Sequence, residues 1–401
     1  MYSRTIKTGV FILEGSNSFA VTYYFYYFYF FAQQQFGFGN QANLALAAAS
    51  GLICVPAALW GGRFAQHAGY FTALKVGFGI MIITLLLGWL FAQSPAAHIA
   101  LMLATIVGMS FTWPTLEALA SEGESGAGLQ RNVGIYNVVW AATGALAYFT
   151  GGALLERLGR PSLFFLPLAM QTGQLALTFW LHQHSARSRL ANAAIPLAPA
   201  TAAPPAPRAK AFLRMAWLAN PFAYIAINTL VAAMPGVAHN LKLTTTQAGF
   251  CCSLWCFARL AAFCALWFWA GWHYRFRWLL ASYLVLVVTF AVILVVPNLA
   301  VVVLAQLALG GALGLIYYSS LFYSMDAGDT KGVHGGIHEA AIGLGCFAGP
   351  AVGAASLSLL PQVANAGAWA VSGLLLCGLA GLVGIQLKTP QAKPPAAGKH
   401  P

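Results

Sequence analysis

The fold class predicted from this sequence is all-α and membrane-embedded: twelve transmembrane helices in two pseudo-symmetric six-helix bundles. Three observations lead there. Charged residues make up 7% of 401 positions against 60% hydrophobic ones, and the mean hydropathy is +0.73, a balance that excludes a soluble globule. The apolar runs are continuous and about 20 residues long, as a helix crossing a ~30 Å hydrocarbon core requires, and they do not alternate as barrel strands do. Lys and Arg gather on one side of a twelve-span arrangement.

Bounded by Gly, Pro, Asn or charge, the predicted spans are 6–32, 41–62, 71–93, 96–120, 132–155, 161–182, 211–235, 246–271, 277–296, 299–325, 335–359 and 365–387. From Arg4 and Lys7, through Arg63, Lys75, Arg131 and the Arg187–Arg214 group, to Lys388, Lys393 and Lys399, the basic loop residues share one side; Arg157, Arg160 and Lys242 take the other. Short cytoplasmic loops carry the positive excess, so both termini are expected in the cytoplasm. The formal charge of +12 is therefore topological and dispersed, and no nucleic-acid partner is read from it. The start has two basic residues and a long apolar helix without a small-residue cleavage site, so the first helix is expected to stay. All seven cysteines fall inside predicted spans and are expected as reduced packing residues; Cys252 and Cys256, one turn apart, have the spacing for a soft metal, but packing is the simpler reading.

Taken in order, the first span carries Glu14, Asn17 and the run Tyr23–Phe31. Part of that run reads as an interfacial aromatic belt, and Tyr23, Tyr27 and Phe30 share a face by i, i+4, i+7 spacing. The fourth span holds Glu117, and the fifth holds Asn137 within Gly134-Ile135-Tyr136-Asn137. After the sixth comes HQHSARSRLANAAIPLAPATAAPPAPRAK, polar and then rich in Pro and Ala, a flexible cytoplasmic linker that separates six spans from six. The domains are thus 1–183, a linker 184–210, 211–388 and a tail 389–401. The seventh span holds Asn228, the eighth Arg259, the tenth Tyr317, Tyr318, Ser319 and Ser320, and the eleventh His338 and Glu339.

The halves read as weak copies. Gly134-Ile135-Tyr136-Asn137 aligns with Gly336-Ile337-His338-Glu339, and at the same offset Gly151-Gly152 aligns with Gly353-Ala354. Looser matches pair Phe11–Glu14 with Trp217–Asn220 and Ser121-Glu122 with Met325-Asp326.

With these features the chain resembles the major facilitator superfamily over essentially its whole length. The family's loop between helices two and three reads G-x-L-A-D-R-x-G-R; here Gly62-Arg63-Phe64-Ala65-Gln66-His67-Ala68-Gly69-Tyr70 keeps both glycines but places Gln66, His67 and Tyr70 at the charged positions. The antiporter pattern G-x-x-x-G-P-x-x-G-G has only Gly151-Gly152 in the fifth span, and its fuller form, Gly345 to Ala354 with Gly349-Pro350, lies in the eleventh, where close helix packing is the simpler reading. The resemblance implies a cavity lined by helices one, four, seven and ten and flanked by two, five, eight and eleven.

A charge near the bilayer centre costs roughly 2.5–3.5 kcal/mol on insertion scales, so buried charges tend to face a cavity or a partner. The candidates are Glu14, Glu117, Arg259 and Glu339, with His338 beside the last, and all sit on helices that the resemblance brings to the cavity. Glu14 and Glu117 also read as interfacial residues or bundle-closing ion pairs. Arg259 lies too deep to snorkel and stays charged, so it can bind a carboxylate or phosphate or pair with Glu339. Glu339 is the first candidate for a coupling proton, followed by Glu14, Glu117 and His338. Tyr23, Tyr27, Asn137, Asn228, Tyr317 and Tyr318 join Arg259 as candidate solute-binding residues, with ordinary packing as the alternative for the tyrosines.

No G-x-x-x-x-G-K-[ST] phosphate loop is present, and His338-Glu339 lacks the second His of a zinc-protease helix. His334, His338 and Glu339 have a metal-ligand spacing, but Gly335 and Gly336 read more simply as a flexible helix start, so neither metal nor cofactor is assigned. The expectation is a non-enzymatic, monomeric secondary active transporter in a bacterial cytoplasmic membrane, moving a small polar or amphipathic solute with protons. The alternatives are a drug/proton efflux antiporter and, from another class, a transporter-like sensor or uncoupled facilitator.

Overall fold

A computed structural model describes residues 4–91, 94–122, 124, 126–191, 207–327 and 331–389; for several helical residues, including 186–191, 325–327 and 331–338, the backbone alone is described. The first half comprises α1 (Arg4–Phe36), α2 (Asn40–Ala68), α3 (Tyr70–Leu90), α4 (Pro95–Ser121), α5 (Gly126–Leu158) and α6 (Ser162–Ala191). The second comprises α7 (Pro207–Asn240), α8 (Thr245–Cys252), α9 (Leu254–Phe268), a 3₁₀ turn (Ala270–Trp272), α10 (Phe276–Val295), α11 (Leu299–Ala327), α12 (Lys331–Leu359) and α13 (Ala366–Leu387). Every predicted span is met by a helix, and the eighth is met by α8 and α9 together. Eleven of the spans are long and apolar enough to cross a membrane. The remaining one, α1, has the length at 33 residues, but its tyrosines, glutamines and the charges Arg4, Lys7 and Glu14 dilute its hydropathy.

Local chemistry accounts for the boundaries. Ser94 accepts from Ala97 N ahead of Pro95, a capped helix start with Pro in its first turn. Thr244 and Gln247 form a reciprocal capping box at α8. Gly69, at φ 90°, turns the chain from α2 into α3 within one residue, which explains one of the two glycines kept in that loop. Two expectations are corrected. Helix α6 continues to Ala191 and α7 starts at Pro207, beyond the predicted span ends at 182 and 211, because polar helical turns extend beyond the apolar stretch and Pro suits a first turn; residues 192–206 of the expected linker lie outside the described residues. The eighth span breaks at Ser253, where the hydroxyl donates back to Phe250 O at 3.3 Å and Cys256 N bonds Ser253 O at 2.9 Å, a local i to i+3 tightening; it ends at Phe268 and not at 271.

Small residues bring the helices together, since lipid gives no hydrophobic drive for association. Gly61 of α2 lies on the Ser110 backbone, and Gly77 and Gly108 bring α3 against α4. Gly345 and Gly349 of α12 sit on the backbone of Pro221 and Ile225 in α7. The Gly-Pro motif of the eleventh span therefore packs α12 on α7 within its own half, and the same stretch meets α2 of the other half, where Gly51 lies on the Cys346-Phe347 backbone.

Lys7 is buried on α1, and its Nζ donates to Leu119 O at 3.1 Å, Ala120 O at 2.9 Å and Glu122 O at 2.9 Å, with Glu124 Oε1 at 3.6 Å. It caps the end of α4, where carbonyls lack intrahelical partners and the helix dipole favours a cation. Lys7→Met is expected to cost about 2 kcal/mol and lower the thermal midpoint of the purified protein. An unchanged midpoint would remove the cap from the account of stability.

Candidate functional site

The two halves enclose a cavity of about 150 Å³ at the centre of the bundle. Ser18, Val21, Thr22, Phe25, Tyr26 and Tyr29 form its α1 wall, and Ala47, Ser50, Gly51 and Cys54 its α2 wall. From α4 come Ile106, Met109, Trp113 and Glu117, and from α5 Tyr136, Trp140 and Gly144. The second half adds Tyr224, Ile227, Asn228 and Val231 of α7, Cys256 and Arg259 of α9, Tyr317 of α11, and Glu339, Ile342 and Cys346 of α12. All eight helices that the resemblance implies thus contribute. The internal repeat is visible in the lining: at the offset that aligns Gly134 with Gly336, Trp140 and Gly144 correspond to Ile342 and Cys346, and all four face the cavity.

Arg259 is 6% exposed. Its guanidinium carbon lies 4.4 Å from the Trp140 ring centroid and 4.9 Å from that of Trp255, so the cation is held between two indole faces. Trp255 is one turn before Arg259 on the same helix face, whereas Trp140 belongs to the other half and also stacks on Tyr317 at 5.3 Å. No carboxylate of the described residues comes within 4.0 Å of Arg259, and its Nε has no hydrogen-bond partner among them. The expected pairing with Glu339 is therefore not made in this structure, although both groups line the same cavity.

Glu117 and Glu339 come from opposite halves and line the same cavity, with Glu117 near enough for Glu339 to feel its charge. Asn228 spends its amide nitrogen on Tyr224 O at 3.1 Å and Cys346 Sγ at 2.9 Å, which leaves its oxygen as an acceptor. Trp113 Nε1 is a buried donor with no partner among the described residues.

Arg259, Asn228, Tyr317, Glu117 and Glu339 are thus brought together, and the other sequence candidates are placed elsewhere. Tyr23 and Tyr27 do share a face with Phe30, but that face packs on the rest of the first half: the Tyr23 hydroxyl lies 2.8 Å from Ser162 Oγ, and Tyr27 donates to Tyr148 O. Gly151 leaves room for both rings, which is the physical reason the cavity takes the neighbouring stripe, Thr22, Tyr26 and Tyr29. Asn17 is tied to Thr112 and Gln171, each at 3.3 Å, as a polar knot within the first half. Ser319 donates to Ile316 O, and Ser320 is buried away from the cavity. Glu14 is fully buried and does not line the cavity; Tyr136, which does, stands beside its carboxyl group. Asn137 and Tyr318 line a second cavity of about 130 Å³ between α5, α9 and α11. The side chains of His334 and His338 lie outside the described residues. Among the described residues no cluster of three His, Cys, Asp or Glu is placed to hold a metal.

Trp140, Trp255, Trp113, Tyr136 and Tyr224 were not singled out by sequence. Two of them carried a signal: Trp255 lies at i−4 from a buried Arg, and Trp140 aligns with a cavity position of α12.

At the end of the bundle where α1 finishes and α8 starts, the halves are fastened together. Gln34 Nε2 donates to Thr245 Oγ1 at 3.0 Å, the Glu156 carboxylate accepts from Thr246 N at 3.0 Å and from its hydroxyl, and Gly152 lies against the Thr245 backbone. Glu156 thereby places a negative charge from one half on the N-terminus of a helix of the other. Toward the opposite end, the second cavity lies among α5, α9 and α11.

No family model and no curated protein matches the sequence. Among solved structures, an auto inhibited POT family peptide transporter is similar over 98% of this chain and 99% of its own, with a TM-score of 0.76 at 12% identity. The nucleoside transporter NupG is similar over 95% of this chain and 99% of its own, with a TM-score of 0.69 at 12% identity. The likeness spans both halves end to end, and at this identity it concerns the fold: an all-helical bundle, eleven of whose described spans are long and apolar enough to cross a membrane, in the arrangement of these transporters.

Proposed function

We propose that this chain is a secondary active transporter that carries a small polar or amphipathic organic solute across a bacterial cytoplasmic membrane by alternating access, driven by protons. The observation that carries the reading is Arg259, a buried cation facing a cavity between two halves without an anionic partner among the described residues. A charge kept at such cost is expected to serve a guest. The cavity's Tyr, Trp and Asn groups supply hydrogen bonds around an apolar body. The fold supports the reading, since its neighbours are a nucleoside transporter and a peptide transporter.

In this reading the Lys and Arg asymmetry places both termini in the cytoplasm. The fastened end with Glu156 and Thr246 is then the outer face, and alternation requires that end to open while the other closes. Glu339 carries the coupling proton, with Glu117 and Glu14 as the neighbouring carboxyls. Export of amphipathic drugs is the second reading, favoured by the aromatic wall of Phe25, Tyr26 and Tyr29.

The test is a thermal-shift screen of polar organic solutes on the purified chain, followed by uptake of the hits into proteoliposomes with an imposed pH gradient. Accumulation above equilibrium that a protonophore collapses is expected, and the gradient polarity that drives it distinguishes import from export. Equilibration without accumulation would reduce the protein to a facilitator. Binding without passage would make it a sensor.

A further inference from the structure

The cavity holds a guanidinium and two carboxyl groups that form no ion pair with one another among the described residues. Arg259 enters from α9 between its two indoles, and Glu117 and Glu339 enter from α4 and α12. None of the three side chains makes a hydrogen bond or an ion pair within 4.0 Å to the described residues. Where oppositely charged groups share a cavity of low dielectric, direct pairing is the cheapest arrangement unless each is reserved for something absent. The indole faces give Arg259 partial compensation while the cavity is empty, yet cation–π contacts offer no acceptor for its N–H groups.

The carboxyls have two different claims on them. By the proposal above, on which this inference rests, a proton neutralises Glu339. Glu117 is then left facing the cavity with no cation, as Arg259 is left with no anion. A monoanionic solute would satisfy Arg259 and leave Glu117 unmatched, and a monocation would do the reverse. A solute carrying both charges neutralises both ends while adding no net charge to the cavity. The same cavity is lined by Phe25, Tyr26, Ile106, Met109 and Tyr136, aromatic and apolar groups that receive a hydrophobic body.

The geometry points to a small zwitterion with an apolar or aromatic body, an amino-acid-like solute whose anionic group pairs with Arg259 and whose cationic group pairs with Glu117.

Matched probe sets test this on the full-length purified chain: phenylalanine, tryptophan and leucine, each beside its deaminated acid and its decarboxylated amine. Thermal stabilisation and uptake into proteoliposomes are read for every member, together with a neutral nucleoside and a sugar as probes of other classes. The zwitterions are expected to bind more tightly than the acid and the amine of the same body, by roughly tenfold or more for each charge lost. Glu117→Gln is expected to weaken the zwitterions to about the level of the acids while leaving the acids unchanged, a selective loss that a merely structural role for Glu117 would not give. Acids or amines that match their zwitterions, or uptake of the nucleoside or sugar in place of all nine probes, would overturn the zwitterion and leave transport standing. Failure of every class to be carried would overturn the transport reading itself, and the zwitterion with it.

Discussion

Arg259→Ala is expected to abolish solute binding while leaving the empty protein at least as stable as the parent. Truncating one side of a buried, hydrogen-bonded charge pair costs about 2–5 kcal/mol, so a loss of roughly 30-fold to several thousand-fold in affinity is expected. Stability moves the other way because, in the empty structure, Arg259 has no anionic partner among the described residues and only the faces of Trp140 and Trp255. Removing an uncompensated buried charge recovers its desolvation cost, which offsets the lost cation–π contacts of about 1–2 kcal/mol. Arg259→Lys keeps the charge but loses the planar fork and its stacking between the indoles, so intermediate affinity is expected, weaker by about tenfold. Thermal midpoints with and without solute, measured beside uptake, check both halves of the expectation. A midpoint that collapses in Arg259→Ala would show the residue to be a structural strut, and unchanged uptake would remove it from the mechanism.

The fold was legible because lipid allows few solutions. Once runs of about 20 apolar residues are punctuated by sparse charge, helices follow from backbone hydrogen bonding alone, and the weak repeat with its central linker divides them into halves. The cavity's charged residues were legible for a related reason: Arg259, Glu117 and Glu339 are too costly to place against lipid, so rarity marks them. The aromatic wall was not. Tyr23 and Tyr26 are indistinguishable by composition, and their roles are decided by a partner helix, where Gly151 admits the Tyr23 and Tyr27 rings and turns Tyr26 and Tyr29 to the cavity. Asn137 illustrates the same limit: it aligns with Glu339 in the repeat, but the cavity position at its end of α5 is taken by Tyr136, one residue earlier, and Asn137 faces the smaller cavity. A pseudo-symmetric sequence register fixes a helix face to within a residue, and a residue is a rotation of about 100°.

Glu339→Gln is expected to abolish accumulation driven by a pH gradient while solute exchange across the membrane persists. The carboxyl lines the cavity on α12 together with Glu117 of the other half, and is not held by Arg259 within 4.0 Å. Nothing in this geometry fixes its protonation state permanently, and a group whose exposure to water changes as the halves rock can load a proton on one side and release it on the other. Gln keeps the shape and hydrogen-bonding capacity of the protonated acid but has no proton to give up. The substituted carrier should therefore bind solute and complete the exchange half-cycle, yet gain nothing from the gradient. Counterflow of preloaded labelled solute, measured beside gradient-driven uptake in the same proteoliposomes, separates the two. Loss of both would indicate damage to the cavity and not to coupling. If gradient-driven accumulation survives, the proton belongs to Glu117, which shares the cavity, or to Glu14, which reaches it through Tyr136; the corresponding Gln variants decide between them, and retention in all three would sever the transport cycle from protons altogether.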